Sequence, residues 1–192
     1  MNRYFFVVNP KSSSGATTKL WQRIYPQLLA SFPQMEYAFT QSSGHGSLLT
    51  EVALREGFNR IIAVGGDGTN GELVNGFFKA GLEEYHDAAI GFVPAGTGND
   101  FCRSIGAPEA KVDDGDLELV MIGELGKGEF LWNFPKVYFG QHKANKKVKM
   151  CAFQRLEITS EKRLALEMDG EVFGHLPAEV KALPHSIQVI LP

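Results

Sequence analysis

The chain has 192 residues, enough for one good core or two small domains. Hydrophobic residues make up 44% and charged residues 21%, both ordinary for a globular protein, and a net charge of -3 excludes a global basic field for nucleic acid. The two cysteines, Cys102 and Cys151, fit no metal or redox spacing and read as reduced thiols in a cytosolic protein, and no apolar run is long enough to span a bilayer.

The first residues lack a cleavage site and read as a strand rather than a signal peptide, with an apolar β-rich run from Tyr4 to Val8 that ends at Asn9-Pro10. A polar loop, Lys11-Ser12-Ser13-Ser14-Gly15, leads to an amphipathic helix over 16–32, with Leu20, Ile24, Leu28 and Leu29 toward the core and Pro26 expected to kink or divide it. A second strand is expected over 35–40. A turn, Ser42-Ser43-Gly44-His45-Gly46, follows, and then a helix over 47–56 with Leu48, Leu49, Val52 and Ala53 inward.

Next comes the stretch around which the rest is organised. The run 61–64 is short and apolar, as suits a strand buried on both faces of a parallel sheet. Gly65-Gly66-Asp67-Gly68 follow at once, and from Thr69 the pattern turns helical, with Leu73, Val74, Phe77 and Phe78 able to share a face. Glycines there would let the backbone reach positive φ and let a ligand approach the N–H groups, while the helix start directs its positive end into the turn. Such a turn suits a phosphate. Asp67 beside it makes sense if a magnesium ion, a lysine or a hydroxyl lies between the two, or if Asp67 simply caps the helix.

A fourth apolar strand over 88–93 breaks at a second glycine loop, 94–101. The order β-α-β-α-β-α-β argues for a parallel, doubly wound α/β sheet, whose loops after each strand would gather at the carboxyl edge, where such folds bind ligands. The pattern changes near residue 107. Beyond it, strand-like runs at 117–122, 129–134, 148–152, 155–160, 164–168 and 186–191 indicate an antiparallel β segment. Two domains are therefore expected, 1–106 and 107–192. The charge run from His142 to Lys149 reads as a solvated hairpin tip, with an anionic membrane as the other reading.

Several short motifs stand in one order: Asn9-Pro10 with Ser14-Gly15, Gly44-His45, Gly65-Gly66-Asp67-Gly68-Thr69 with Glu72 and Asn75-Gly76, Gly96-Thr97-Gly98-Asn99-Asp100-Phe101, Asp113-Asp114-Gly115 and Asp169-Gly170-Glu171. In this order the sequence resembles the bacterial diacylglycerol-kinase-like lipid kinases. The resemblance implies an α/β nucleotide domain followed by a β-sandwich-like domain, and ATP-dependent transfer of phosphate to a lipid hydroxyl. It implies ATP contacts at Asn9, Thr40, Gly65, Gly66, Asp67, Gly68, Thr69, Asn70, Gly71 and Thr97. A magnesium site is implied at the Asp114 side chain with the Lys111 and Asp116 carbonyls. Glu171 is implied as the base, with Asp169 to orient it and Asp67 at the reacting phosphate. The acceptor would be met at a membrane surface, with peripheral contact by a cytoplasmic protein and no nucleic acid. The plain alternative for Asp169-Gly170 is a hairpin turn, and for His45 a helix cap.

Two departures from the family pattern stand out. Asn70-Gly71 occupy positions where the family has an apolar residue and then asparagine, which turns the amide by about 100° on a helix start. The block the family carries between the second glycine loop and Asp113-Asp114-Gly115 is also nearly absent, so the remaining β segment would expose edges that a second copy of the chain could cover. A nucleotide-binding remnant without lipid turnover, and an enzyme of the NAD kinase or phosphofructokinase kind, are the competing readings.

Overall fold

The computed structural model describes residues 2–96, 115–123, 126, 128, 146–168 and 171–190. Two compact units divide the chain, one of residues 1–112 with 185–192 and one of 113–184.

The first unit is built on β1 (Tyr4–Val8), α1 (Ala16–Ser31), β2 (Glu36–Phe39), α2 (His45–Arg55), β3 (Arg60–Gly65), α3 (Asp67–Ala80) and β4 (Ala89–Pro94). The second contributes β5 (Leu117–Ile122), β6 (Val148–Phe153), β7 (Arg155–Ile158), β8 (Ala165–Met168), β9 (Glu171–His175) and β10 (Ala178–Lys181). The chain then returns to the first unit with β11 (Gln188–Val189).

Among the described residues the first unit has one parallel sheet in the order β11-β4-β3-β1-β2. Successive side chains of a strand point to opposite faces, and both faces here are covered. Phe5, Val7, Ile61, Ala63 and Ile90 share one core with Ala53 and Leu54 of α2 and Leu73 and Phe77 of α3. Phe6, Val8, Ile62 and Val64 share the other with Trp21, Leu20 and Ile24 of α1. This doubly wound arrangement explains why the strands read as unbroken apolar runs.

The helices depart from the expected faces only in part. α1 runs undivided through Pro26; Leu20, Ile24 and Leu28 pack on the core as expected, beside the buried Thr17 and Trp21, and Leu29 is exposed. In α2 the buried residues are Gly46, Ser47, Thr50, Ala53 and Leu54, whereas Leu48 and Val52 face outward. Small residues set that face. A Cβ on Gly76 of α3 would lie 2.5 Å from Thr50 Cβ and 2.6 Å from the Ser47 carbonyl oxygen, so α2 and α3 meet almost backbone to backbone. Phe78 likewise is exposed, while Leu73 and Phe77 are buried.

The second unit consists, in its described part, of three antiparallel pairs, β5 with β6, β7 with β10 and β8 with β9. The apolar run 186–191, expected in the β segment, instead extends the parallel sheet. Val189 pairs with Ile90, the Ile190 N–H donates to the Ile90 carbonyl at 2.7 Å, and Ile187 and Val189 pack on the α2–α3 core. The expected strand at 129–134, Cys102 and residues 142–145 lie outside the described residues; Cys151 is a free, exposed thiol.

Candidate functional site

In the order β2-β1-β3-β4, the chain leaves β1 toward one side of the sheet and later comes back to β3 on the other. Loops after β1 and β3 therefore run to opposite faces, α1 below one and α3 above the other, and open a crevice at the carboxyl ends of β1 and β3. Asn9 and the glycine turn stand at that crevice. The Asn9 Nδ2 donates to Thr69 Oγ1 at 3.1 Å, its Oδ1 accepts the Lys11 N–H at 3.0 Å, and its backbone N–H donates to the Val64 carbonyl. One asparagine thus ties the end of β1 to the first turn of α3.

The turn is shaped by close approach. Gly65 and Gly66 both lie outside the positive-φ region, contrary to the expectation of left-handed glycines. A Cβ on Gly65 would fall 2.7 Å from Thr69 Cβ, and one on Gly66 would fall 3.1 Å from the Gly96 Cα. The two glycine loops touch there, and the Ala95 N–H donates to the Gly65 carbonyl at 2.7 Å. Gly68 and Gly71 are different, since no described residue comes within 4 Å of where their Cβ atoms would stand. Asp67 opens α3, ahead of the first intrahelical bonds from the Thr69 and Asn70 N–H groups to the Gly66 carbonyl. N–H groups at a helix start lack intrahelical acceptors and face outward, an arrangement that suits an anion where, as at Gly68, no described residue crowds the flank. Asn70 is buried, in line with the apolar residue the family has at that position, and Gly71 leaves the next position open.

The loop after β1 is pinned across the crevice to the loop after β4. Ser13 Oγ and Thr17 Oγ1 donate to the Ala95 carbonyl at 2.6 and 3.2 Å, and Ser12 Oγ and Thr17 Oγ1 share a hydrogen bond. Ser13 and Ser14 take left-handed backbone at φ 49° and 54°, a conformation that costs a non-glycine residue on the order of 1 kcal/mol, and Ser13 is held in it by its bond to Ala95.

Thr40 is buried at the end of β2 and donates its N–H to the Val8 carbonyl. Its loop ends at α2, whose start is occupied by a side chain of α3. The Glu72 carboxylate accepts the Gly44 N–H at Oε1 and the Gly46 N–H at Oε2, both at 2.7 Å. Hydrogen bonds to charged groups contribute about 1.5–3 kcal/mol each, and a carboxylate at a helix start is favoured further by the dipole. His45 lies between the two glycines, and its Nδ1 accepts the Gln41 N–H at 3.1 Å. In this structure His45 closes its own loop.

Of the expected site residues, Asn9, Thr40 and Gly65 to Gly71 are brought to one sheet edge. Thr97, Lys111, Asp114 and Asp169 lie outside the described residues. Asp116 and Glu171 belong to the second unit: Asp116 precedes β5 and its Oδ1 accepts the Gln154 amide at 3.1 Å, while Glu171 opens β9 opposite Met168. Among the described residues no group of three or more His, Cys, Asp or Glu is placed to hold a metal ion. Sequence reasoning left Glu72 without a role, because its partners lie 26 and 28 residues upstream. The pair of glycines flanking His45, with amides unhindered by side chains, was the available signal.

Comparison with known proteins bears on this edge and on the whole chain. The model of the diacylglycerol kinase catalytic domain matches residues 3–129, and that of the YegS C-terminal NAD kinase beta sandwich-like domain matches residues 88–191. A diacylglycerol kinase of Bacillus subtilis is 36% identical over 117 residues, 58% of this chain and 36% of that protein. One of Staphylococcus carnosus is 36% identical over 107 residues, 53% of this chain and 32% of that protein. The chain thus spans about a third of the length of the curated relatives it matches. A diacylglycerol kinase crystal structure from Bacillus anthracis superposes with a TM-score of 0.78 over 100% of this chain and 97% of that one, a likeness of fold at 18% identity.

Proposed function

This chain belongs to the diacylglycerol kinase catalytic-domain family, and on that premise we propose that it binds MgATP at the β1–β3 crevice and transfers the γ-phosphoryl group to a lipid hydroxyl. The observation that carries the reading is the α3 start, where an open flank at Gly68 meets helix N–H groups beside Asp67. Phosphoryl transfer runs through a loose transition state, so positioning and charge neutralisation do most of the work. The Gly65–Thr69 turn would hold the phosphates by its backbone, with Asn9 and Thr69 keeping the turn against β1.

Asp67 beside a phosphate would repel it unless a cation intervened. Magnesium commonly takes one or two carboxylates together with substrate phosphates, so a single Asp67 fits an ion carried in with the nucleotide. When bound, that ion would neutralise phosphate charge. Lys111, Asp114 and Asp116 are proposed as a further metal-linked group, and Glu171, with Asp169, as the acceptor of the lipid hydroxyl proton. These roles rest on the motif resemblance. No helix among the described residues is long and apolar enough to cross a membrane, and the proposed contact with the lipid is peripheral.

A second reading, MgATP binding without lipid turnover, is favoured by one observation. Every described residue of the second unit is at least partly exposed, so that part closes no core of its own. The test is transfer of labelled γ-phosphate from MgATP to lipid alcohols in mixed micelles, with Asp67→Ala as the blank and NAD as a soluble acceptor. Label in a lipid above the blank supports the kinase reading. Label in NAD alone overturns it, and MgATP binding with no transfer leaves the second reading standing in its place.

A further inference from the structure

We infer that Glu72 is a positioning residue that fastens the loop after β2 to the helix carrying the phosphate-binding turn, and that nucleotide affinity depends on this fastening. The inference rests on the nucleotide reading of the crevice given above. Both carboxylate oxygens are used, each on a backbone N–H at 2.7 Å, and both amides belong to the start of α2. At the second of them a side chain would push the carboxylate aside: a Cβ on Gly46 would lie 2.5 Å from Glu72 Oε2. At the first, Gly44 has φ 79°, the left-handed region where a side chain is strained.

The position of Glu72 on α3 gives the contact its leverage. Residues four apart share a helix face, so Glu72 and Gly76 both look at α2. Gly76 meets Thr50 and the Ser47 carbonyl at near-backbone distance, and Glu72 holds the α2 start one turn earlier. Two fixed points prevent α2 from sliding along α3. The segment between Thr40 and Gly46 is then held at three places: at β1 by the Thr40 N–H, internally by His45 Nδ1, and at α3 by Glu72. The contact also sorts the two positive helix ends on this face of the sheet. The α2 end is filled by a carboxylate from another helix, whereas the α3 end carries its own Asp67 and no described residue approaches its flank at Gly68, where an incoming anion would sit.

The test combines amide exchange with binding. In Glu72→Gln and Glu72→Ala, exchange of the Gly44 and Gly46 amides should rise tenfold or more while amides of β1 and β3 keep their rates, and the Kd for MgATP should rise tenfold or more. Added acetate should recover part of the affinity of Glu72→Ala, by filling the vacated helix start, and should leave the unmodified protein unchanged. Gly46→Ala, which keeps the charge but displaces the carboxylate, should reproduce the loss. Unchanged exchange at Gly44 and Gly46 would overturn the fastening itself. Faster exchange with an unchanged Kd would overturn the positioning role. Failure of the unmodified protein to bind MgATP would overturn the kinase reading and the positioning role with it, whereas the exchange rates would still decide the fastening.

Discussion

Two glycines three positions apart in the sequence have opposite reasons to be glycine. Gly65 has no room, because a Cβ would press on Thr69, while Gly68, in the first turn of a helix, has none of the described residues within 4 Å of where its Cβ would stand. Gly65→Ala should therefore lower stability, by about 1–3 kcal/mol for a forced overpacking, and weaken MgATP binding at the same time. Gly68→Ala should separate the two. Alanine is the better helix former by about 0.8–1 kcal/mol, so thermal unfolding should move upward, while a methyl group in the open flank should weaken MgATP binding at least tenfold. Loss of stability in Gly68→Ala would mean the flank is not open, and undiminished affinity would remove the α3 start from the phosphate site.

At the scale of elements, the α2–α3 contact carries a defect that can be measured. Ser47 Oγ and Thr50 Oγ1 are buried there without a hydrogen-bond partner among the described residues. Thr50→Val keeps the branched shape and removes the unpaired hydroxyl, so it should stabilise the protein by about 1 kcal/mol in chemical denaturation. Pro26 offers the corresponding test in α1. Inside an unbroken helix it leaves the Gln22 carbonyl without its usual donor, and Pro26→Ala should raise stability by about 2 kcal/mol, seen as a higher Tm. These same contacts explain what could be read from the sequence. β1, β3 and β4 were legible because strands buried on both faces are apolar without interruption. The inward face of α2 is legible at Leu49 and Ala53 but not elsewhere, because Gly46, Ser47 and Thr50 are buried by the closeness of α3, which hydrophobicity does not report, while Leu48 and Val52 are left outside. β9 and β10 were missed because Glu171, His175, Glu179 and Lys181 interrupt their apolar residues. The glycine turn was legible, but of the reasons expected for its glycines positive φ does not hold, and packing against Thr69 and Gly96 is what excludes side chains at Gly65 and Gly66.

Over the whole molecule, burial is uneven. Each buried hydrophobic residue described, from Phe5 to Ala95, belongs to the first unit, and the described strands of the second are exposed or half-buried throughout. Resistance to opening follows buried contact, so amide exchange should be slowest in β1 and β3 and at least a hundredfold faster in β5, β6 and β8. Uniform protection across both units would show that the second gains a core from another source, a second copy of the chain included. The first unit is also discontinuous, since β11 joins β4 only after the whole second unit has intervened. On a ribosome adding 5–20 residues per second, the interval between the emergence of β4 and that of β11 is roughly five to twenty seconds. Through that interval the nascent chain presents the outer edge of β4 unpaired, an edge able to recruit any extended segment nearby. The sheet begun first is therefore closed by β11 only after the whole second unit has been made, and that delay is where misassembly in the cell would concentrate.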